Sequence, residues 1–553
     1  MDVVLVGLPG SGKTAVGRRL AHRHDAEFID LDESIERAAG RRIPEIFEAD
    51  GEAAFRALER EAVGRLGPAD AAPEVRRVVA TGGGAVIDPR NRWALYRHRL
   101  PVWLDGRPEV LAQRLRRSPN VRPLIQGRDP IGAIRELARN RARFYAAGAR
   151  LNSASEVASL VERIDELAAA RHTGPGGTVV LRADTISGHL VIGDGIAAGE
   201  VTAALRALNA ERAIVVSEPG AWAATGEALT SAIAAGGLSV ERVMLPQGED
   251  AKRLPVIESA ARELASLRAE RREPIVALGG GALGDAAGFL AATWLRGVPL
   301  IHVPTTLVAQ IDSSIGGKTG VDLPDGKNLV GAFYQPSAVI IDISFLRSLP
   351  ERHRRAALGE AVKMAALGDE RLFELLESAG EAIAAGADAA FDSGAVAELV
   401  ERSAWAKVDV VTADEREQGA AGGRIALNLG HSLGHAFEAA GGFGELLHGE
   451  AVAAGLRAAA AIGEALGVTS PERRLRIEGL LDALGLAAEP LPYPLEAVMA
   501  ALAADKKHAE GNLRWVLPTA DGYEVRSDVP VDLTERVAAS LLVGAGAAAG
   551  RAS

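Results

Sequence analysis

The chain has 553 residues, 48% hydrophobic and 24% charged, with a formal net charge of −11 and no cysteine. That length accommodates roughly three or four units of ~150 residues, each with its own core; the absence of cysteine excludes disulfides and thiolate metal ligands, and the acidic balance argues against nucleic acid as the main partner. No apolar stretch is long and uncharged enough to span a bilayer, and the N-terminus lacks the basic region of a secretory signal, so a cytoplasmic protein acting on small molecules, with no nucleic-acid or membrane partner, is expected.

Residues 3–6 form a short, continuous, β-branched run ended by glycine, which predicts a buried strand. A helix follows over 14–24. Further strands fit 27–29, 78–80 and 102–104, separated by helical patterns, and a last acidic-apolar helix fits 155–170. Strands alternating with helices imply a parallel sheet covered on both faces. The segment Arg171-His172-Thr173-Gly174-Pro175-Gly176-Gly177 has two glycine turns around a proline and no hydrophobic period, the pattern of a linker. Beyond it, strands fit 178–181, 213–216, 275–278, 300–303 and 338–341. From about residue 350 long Ala/Leu/Glu/Arg stretches at helical spacing dominate, and strand signals nearly vanish until 514–517. The expected organisation is α/β throughout: a P-loop domain over 1–172, a linker at 173–177, a Rossmann-like half over 178–345 and a mostly helical half over 346–553.

The motif Gly7-Leu8-Pro9-Gly10-Ser11-Gly12-Lys13-Thr14 lies between a strand and a helix, the context a phosphate-binding loop requires. Its glycines let backbone N–H groups point at a phosphate, and the helix N-terminus adds its dipole. Gly10, Ser11 and Gly12 would cradle the nucleotide, Lys13 would neutralise phosphate oxygens and Thr14 would ligate Mg²⁺. After this loop come Asp30-Leu31-Asp32, the run from Ile46 through Arg56 to Glu59, Thr81-Gly82-Gly83-Gly84, Arg122-Pro123-Leu124 and Arg141-Ala142-Arg143-Phe144-Tyr145. In that order they resemble shikimate kinase over residues 1 to about 170.

The resemblance implies a three-layer parallel sheet and ATP-dependent 3-phosphorylation of shikimate. Asp32 would bind the ring hydroxyls and serve as base, Asp30 would sit near Mg²⁺ through water, and Arg56 and Arg141 would clamp the carboxylate. A planar guanidinium matches a carboxylate bidentately, and phosphoryl transfer needs mainly positioning and charge neutralisation. Gly82 and Gly83 would admit the ring close to the backbone. Residues 118–128 would form a lid, with Arg117 and Arg122 reaching the ATP phosphates.

The second half carries a different chemistry. Gly279-Gly280-Gly281-Ala282-Leu283-Gly284-Asp285 follows a strand and contains G-x-G-x-x-G, but the acidic residue expected about twenty positions later is missing. Around it stand Pro246-Gln247-Gly248-Glu249-Asp250-Ala251-Lys252, Arg296-Gly297, Pro304-Thr305-Thr306-Leu307, Asp312-Ser313-Ser314-Ile315-Gly316-Gly317-Lys318 and Gly326-Lys327-Asn328. Then come Gly359-Glu360-Ala361-Val362-Lys363, Asp414-Glu415-Arg416-Glu417, Asn428-Leu429-Gly430-His431, His435, His448-Gly449-Glu450 and Asp505-Lys506-Lys507. Densely and in order, residues ~178 to ~520 resemble 3-dehydroquinate synthase.

That resemblance implies Glu360, His431 and His448 as ligands of a divalent metal, Zn²⁺ or Co²⁺; two imidazoles and a carboxylate suit Zn²⁺ and leave positions for substrate hydroxyls. His435 lies four residues after His431 on one helical face, so spacing nominates the two as a ligand pair, whereas the resemblance puts His435 beside the substrate; the sequence leaves both readings open. Glu249, Lys252, Gly280, Gly281, Asp285, Thr305 and Thr306 would bind NAD, together with Asp312, Lys318 and Lys327. Arg296, Asp312, Lys318, Lys327, Asn328, Lys363, Lys407, Arg424, Asn428, His435 and one of Lys506 or Lys507 would line the sugar-phosphate pocket. Lys318, Lys363, His435, Glu417 and Arg424 form the implied catalytic set, as Lys13 and Asp32 do in the first half. The implied reaction converts 3-deoxy-D-arabino-heptulosonate 7-phosphate to 3-dehydroquinate and phosphate, with NAD reduced and reoxidised within each turnover, and a homodimer through the synthase part is expected. At the end of the 213–216 strand the family has an acidic ribose partner; here Ser217 stands there with Glu218 next, and substitution by Glu218 is left open. The segment 418–423 is longer than the family pattern by about three residues.

The expectation is thus a bifunctional enzyme of aromatic precursor synthesis. The two activities are not consecutive, so no direct channelling is expected. The alternatives are a kinase fused to a different sugar-phosphate cyclase, or one domain acting as a non-catalytic, nucleotide-responsive regulator of the other.

Overall fold

A computed structural model of the chain describes residues 1–69, 74–117, 129–172, 177–324, 326–415, 423–442, 444–486, 490–508 and 513–543, without the side chains of 171, 172 and 505–508. Residues 173–176 of the expected linker, the expected lid with Arg122, Glu417, residues 418–422, and the side chains of Lys506 and Lys507 lie outside the described residues. The chain divides into two compact units: Met1–Ala207 with Ala232–Gly237 and Ile340–Ser344, and Leu208–Ser231 with Leu238–Val339 and Phe345–Ser553.

In the first unit, strands β1 (Asp2–Val6), β2 (Glu27–Asp30), β3 (Arg77–Ala80), β4 (Leu100–Asp105) and β5 (Ala149–Asn152) form a five-stranded sheet in the order β2-β3-β1-β4-β5. Every pairing is parallel. All of β1 is buried, as a central strand with both faces covered must be. Val16 and Leu20 of the helix Lys13–His24, and Leu160, Val161 and Ile164 of the helix Val157–His172, pack with Val3, Leu5, Val78 and Val102 in one core. Strand β5 has no apolar run to announce it. It is an edge strand, and Arg150 lies over Trp103 and bonds Asp105 on the neighbouring strand. This unit also holds the antiparallel hairpin of β6 (Thr178–Asp184) and β7 (His189–Asp194).

In the second unit, β8 (Arg212–Ser217), β9 (Ser239–Met244), β10 (Ile275–Gly279) and β11 (Leu300–Pro304) are parallel in the order β11-β10-β8-β9. Their ends place Ser217, Gly279 and Pro304 side by side, the edge of an open α/β sheet at which ligands bind. Next in sequence is an antiparallel hairpin of β12 (Lys318–Leu323) and β13 (Gly326–Phe333), and then β14 (Ala338–Asp342), whose first residues continue the parallel sheet beside β11.

Beyond residue 350 come the helices Glu351–Ala366, Ala395–Ala413, His431–Ala440 and His448–Ala465, with others between and after them. Small residues set their spacing. A Cβ at Gly359 would collide with the carbonyl of Gly449, and one at Gly449 with that of Ala356. The helices bearing Glu360 and His448 therefore touch backbone to backbone at that point.

Candidate functional sites

The first site grows from the turn between β1 and the helix Lys13–His24. Gly7, Gly10 and Gly12 take φ values of +141°, +83° and +91°, a region that favours glycine. A Cβ at Gly7 would lie 2.6 Å from the Leu104 carbonyl oxygen. The loop curls so that Lys13 Nζ donates to the carbonyls of Gly7 (2.8 Å) and Leu8 (3.2 Å). Ser11 Oγ is buried without a hydrogen-bond partner. A glycine cradle with an ammonium and an orphaned hydroxyl has the donor set a polyphosphate needs. Thr14 Oγ1 donates to Asp30 Oδ2 at 2.9 Å, while Asp30 Oδ1 accepts from the backbone N–H groups of Asp32 and Glu33. Asp30 thus caps the helix Leu31–Ala39 and ties the phosphate loop to Asp32.

Asp32, Arg56, Arg141 and the Gly82–Gly84 turn converge. A Cβ on Gly82 would stand 2.7 Å from Asp32 Oδ1, and one on Gly84 would stand 2.6 Å from Arg56 Nη1. Arg141 Nη1 donates to the Gly83 carbonyl at 2.8 Å, and the Tyr145 hydroxyl donates to the same oxygen. Arg56 is held by Glu52 (2.9 Å) and by Glu59 (2.8 Å) one helical turn to either side. Glu59 is 2% exposed, and burial pushes its carboxyl up against the pull of Arg56. Glu52, Glu59 and Tyr145 lie within the family motifs, and the structure adds their contacts to Arg56 and Gly83. The i,i+3 and i,i+4 spacing to Arg56 was the signal available for the two glutamates. Arg117 is exposed at the end of the helix Pro108–Arg116. Among the described residues, Arg114 reaches the phosphate loop, donating to the carbonyls of Gly10 (3.5 Å) and Ser153 (2.9 Å).

The second site gathers residues from segments far apart in sequence. Glu360 is fully buried. Its Oε1 lies 3.4 Å from His431 Nε2 and 3.1 Å from His448 Nε2, and its Oε2 lies 2.5 Å from Lys363 Nζ. Burial would raise the Glu360 carboxyl, but Lys363 and the imidazoles overcome it and hold the group well below the usual carboxylate range. Glu360, His431 and His448 present ligand atoms within 4.8 Å of one another. A buried anionic oxygen facing two ring nitrogens is the donor set of a divalent cation, so the residues fit a metal. His431 Nδ1 lies 3.1 Å from the Leu429 carbonyl and His448 Nδ1 lies 3.3 Å from Glu438 Oε2, the outer contacts that orient ligating imidazoles. His435 stands edge-on to His431 with ring centres 5.2 Å apart, and it groups with Glu438 and His448 rather than with Glu360.

Beside the trio, Asp312 receives Lys407 Nζ at 2.7 Å and faces Lys363 at 3.9 Å. Burial alone would raise its carboxyl; the two lysines hold it at about 2. Asp285, Asp312, Lys318, Asn328, Lys407 and Arg424 line one cavity of about 550 Å³. Arg424 is anchored on the carbonyls of Glu415 (2.6 Å) and Gly316 (3.2 Å). Lys252 donates to Asp285 at 2.9 Å and to Asn328 Oδ1, and burial pushes Asp285 up to about 6 against the pull of Lys252. Lys327 bridges Glu249 (3.1 Å) and Glu438 (3.6 Å). Asn428 ends the short turn Arg424–Asn428 that carries Arg424. Arg296 is exposed, has φ +63°, and is not among the residues lining the cavity.

The glycine loop closes the other side of this unit's site. A Cβ on Gly280 would press on Thr306 at 3.2 Å, and one on Gly281 would lie 2.8 Å from Ser313 Oγ, which is buried without a partner. Thr305 N–H donates to the Gly279 carbonyl. These glycines leave room for close approach of a dinucleotide, and Ser313 offers it a hydroxyl. Glu218 is already engaged: Oε1 accepts from Gly280 N–H (3.0 Å), and Oε2 accepts from Gly248 N–H (3.0 Å) and Gln247 Nε2 (2.8 Å). It ties three loops together. The sequence signalled none of this for Glu218, Ser313 or Glu438, because each acts across segments that only the fold brings together.

The shikimate kinase family model matches residues 9–169. The models for the 3-dehydroquinate synthase N-terminal and C-terminal parts match residues 242–356 and 357–508. A 3-dehydroquinate synthase of Acaryochloris marina is 42% identical over 341 residues, 61% of this chain and 87% of that protein. Among solved structures, a 2-epi-5-epi-valiolone synthase from Streptomyces hygroscopicus with NAD⁺ and Zn²⁺ bound superposes with a TM-score of 0.58 at 28% identity, over 65% of this chain and 98% of that one. A 2-deoxy-scyllo-inosose synthase complexed with carbaglucose-6-phosphate, NAD⁺ and Co²⁺ gives a TM-score of 0.57 at 25% identity, over 65% of this chain and 99% of that one. The trio, the glycine loop and these matches together show that the chain belongs to the 3-dehydroquinate synthase family, with a shikimate kinase domain fused ahead of the synthase part.

Proposed function

We propose that the chain is a bifunctional enzyme that phosphorylates shikimate with ATP in its first unit and converts 3-deoxy-D-arabino-heptulosonate 7-phosphate to 3-dehydroquinate and phosphate in its second. The domains are a kinase over 1–172, a linker at 173–177, a dinucleotide-binding half over 178–345 and a helical half over 346–553. The carrying observation is Glu360, whose buried carboxylate faces the ring nitrogens of His431 and His448 and pairs with Lys363.

In the first site Lys13, Ser11 and the loop amides receive the polyphosphate, and Thr14 with Asp30 holds the Mg²⁺ that accompanies it. Arg56 and Arg141 clamp the shikimate carboxylate, and Asp32 takes the proton of the attacking hydroxyl. In the second site Glu360, His431 and His448 hold Zn²⁺ or Co²⁺, and the Gly280–Gly281 turn, Glu249, Lys252, Asp285, Thr305 and Thr306 receive NAD. When bound, these groups supply hydride acceptance and return and Lewis-acid polarisation of a substrate hydroxyl. The chain's own residues orient the substrate: Lys318, Lys407, Arg424 and Asn428 position its phosphate and carboxylate, while Lys363 and Asp312 fix the charge balance beside Glu360. His435 stands beside the rings of His431 and His448, and Lys327 pairs with Glu249 and Glu438.

The bound ligands of the two cyclase structures support the cofactor assignment, and the higher identity to the synthase of Acaryochloris marina favours the dehydroquinate reading over another cyclase. A substrate panel tests it: turnover of 3-deoxy-D-arabino-heptulosonate 7-phosphate with release of phosphate is expected, and turnover of only another sugar phosphate would replace the reading. We further propose a cytoplasmic homodimer joined through the synthase part. Among the described residues no helix is long and apolar enough to cross a membrane, and sedimentation of the full chain at twice the monomer mass is the expected result.

A further inference from the structure

Glu438 is a carboxylate that neither the metal trio nor the substrate pocket accounts for. It is 5% exposed and lies on the helix His431–Ala440, three residues after His435. Its Oε2 meets His448 Nδ1 at 3.3 Å, while the opposite nitrogen of that ring, Nε2, faces Glu360 at 3.1 Å. Its Oε1 meets Lys327 Nζ at 3.6 Å. Lys327 reaches Glu249 at 3.1 Å, Glu249 lies 3.8 Å from Lys252, and Lys252 holds Asp285 at 2.9 Å. An unbroken line of charge therefore runs from His448 to Asp285 on the glycine-loop helix Gly281–Thr293.

The physical consequence has two parts. A neutral imidazole that offers Nε2 to a cation carries its proton on Nδ1, and a carboxylate accepting that proton fixes both tautomer and ring angle. The same carboxylate draws Lys327, and through it the hairpin bearing Lys327 and the loop bearing Glu249. Whatever orders the ring also orders the dinucleotide side.

We propose that Glu438 is a positioning residue that fixes His448 and, through Lys327 and Glu249, couples divalent-metal binding to NAD binding. This rests on the synthase reading above. His435, Glu438 and His448 also present ligand atoms close enough to hold a cation, so the test separates an orienting role for Glu438 from a ligating one.

The full-length chain, stripped of metal, is titrated with Co²⁺ by calorimetry and by the visible absorption of the bound ion, with and without NAD. The wild type binds Co²⁺ more tightly when NAD is present. Glu438→Gln weakens Co²⁺ binding about 10–100-fold and removes the effect of NAD; Lys327→Met removes the effect of NAD while the Co²⁺ spectrum is kept. If Glu438→Gln unfolds early, Glu438→Asp replaces it and gives intermediate values. His435→Ala keeps the wild-type affinity, whereas His431→Ala abolishes binding. Unchanged affinity and NAD dependence in Glu438→Gln overturns the proposal, as does a loss in His435→Ala equal to that in His431→Ala. Failure of the wild type to bind Co²⁺ at all is a different result and refutes the synthase reading itself.

Discussion

The two sites concentrate charge with different shares of local and cross-element pairing. In the kinase site the charges are balanced locally, since one turn supplies Lys13 and Thr14 and Arg56 is held by Glu52 and Glu59 on its own helix, although Arg141 and the Gly82–Gly84 turn join them from farther along the chain. In the synthase site Lys363 pairs with Glu360 on its own helix, but further balances are struck across the fold, as between Asp312 and Lys407 or between Lys252 and Asp285. Local balance makes a site that tolerates loss of one partner. Cross-element balance in a buried pocket makes each charge depend on a distant segment, since an unpaired buried ion is costly.

The largest expected difference comes from Glu360→Gln. It removes the anionic member of the trio and the nearest partner of Lys363, leaving the more distant Asp312. Metal content falls to background and synthase turnover drops on the order of 10³-fold. The metal-free second unit loses about 3–5 kcal/mol, read from chemical unfolding. Retention of bound metal by this variant would break the comparison. Next is Lys407→Met, which takes away the nearest partner of Asp312. Destabilisation of about 3 kcal/mol is expected. The matching kinase change, Glu52→Gln, removes a half-exposed helical partner of Arg56 and is expected to cost about 0.5 kcal/mol or less. Equal losses in the two variants would remove the distinction between local and cross-element balance.

pH sharpens the same point. Asp312 is held at about 2, below the ordinary 3.8. A depressed carboxyl contributes stability that is fully present above its unfolded pKa and lost as pH falls through the folded value. On the order of 2 kcal/mol is therefore present above about pH 4 and disappears towards pH 2. An Asp312→Asn chain should show a flatter acid limb in unfolding experiments, and an unchanged limb would mean the lysines do not hold Asp312. A binding effect with little change in stability is expected from Gly82→Ala, where the new methyl would press on Asp32 Oδ1 at 2.7 Å. The KM for shikimate is expected to rise about 10-fold, with stability changed by less than about 1 kcal/mol.

The same contrast explains what could be read from the chain in advance. The phosphate loop was legible because strand, turn and helix follow one another within a few residues, and the strand at 3–6 and the helix at 14–24 differ from the observed Asp2–Val6 and Lys13–His24 by one residue at their first ends. The parallel strands at 213–216 and 275–278 were legible as continuous apolar runs, and that at 300–303 as an apolar run broken only by His302. The hairpin Lys318–Leu323 with Gly326–Phe333 was not, because its lysines, glycines and asparagine answer to the site rather than to strand alternation. Strand Ser239–Met244 lies outermost in the parallel sheet beside β8 and mixes charge with valine, so it too carried no run. Glu218, Ser313 and Glu438 were illegible in their roles for a related reason. A glutamate pinning three loops looks, in sequence, like any glutamate after a strand; only the topology puts Gly248 and Gly280 against it.

The central claim is that one chain carries two complete and separate active sites. It is tested most directly by assaying both reactions on full-length Lys13→Ala and full-length Glu360→Gln. The account predicts that Lys13→Ala loses phosphoryl transfer to shikimate and keeps release of phosphate from 3-deoxy-D-arabino-heptulosonate 7-phosphate, and that Glu360→Gln does the reverse. Loss of both activities in either variant, or full retention of phosphoryl transfer in Lys13→Ala, would contradict it.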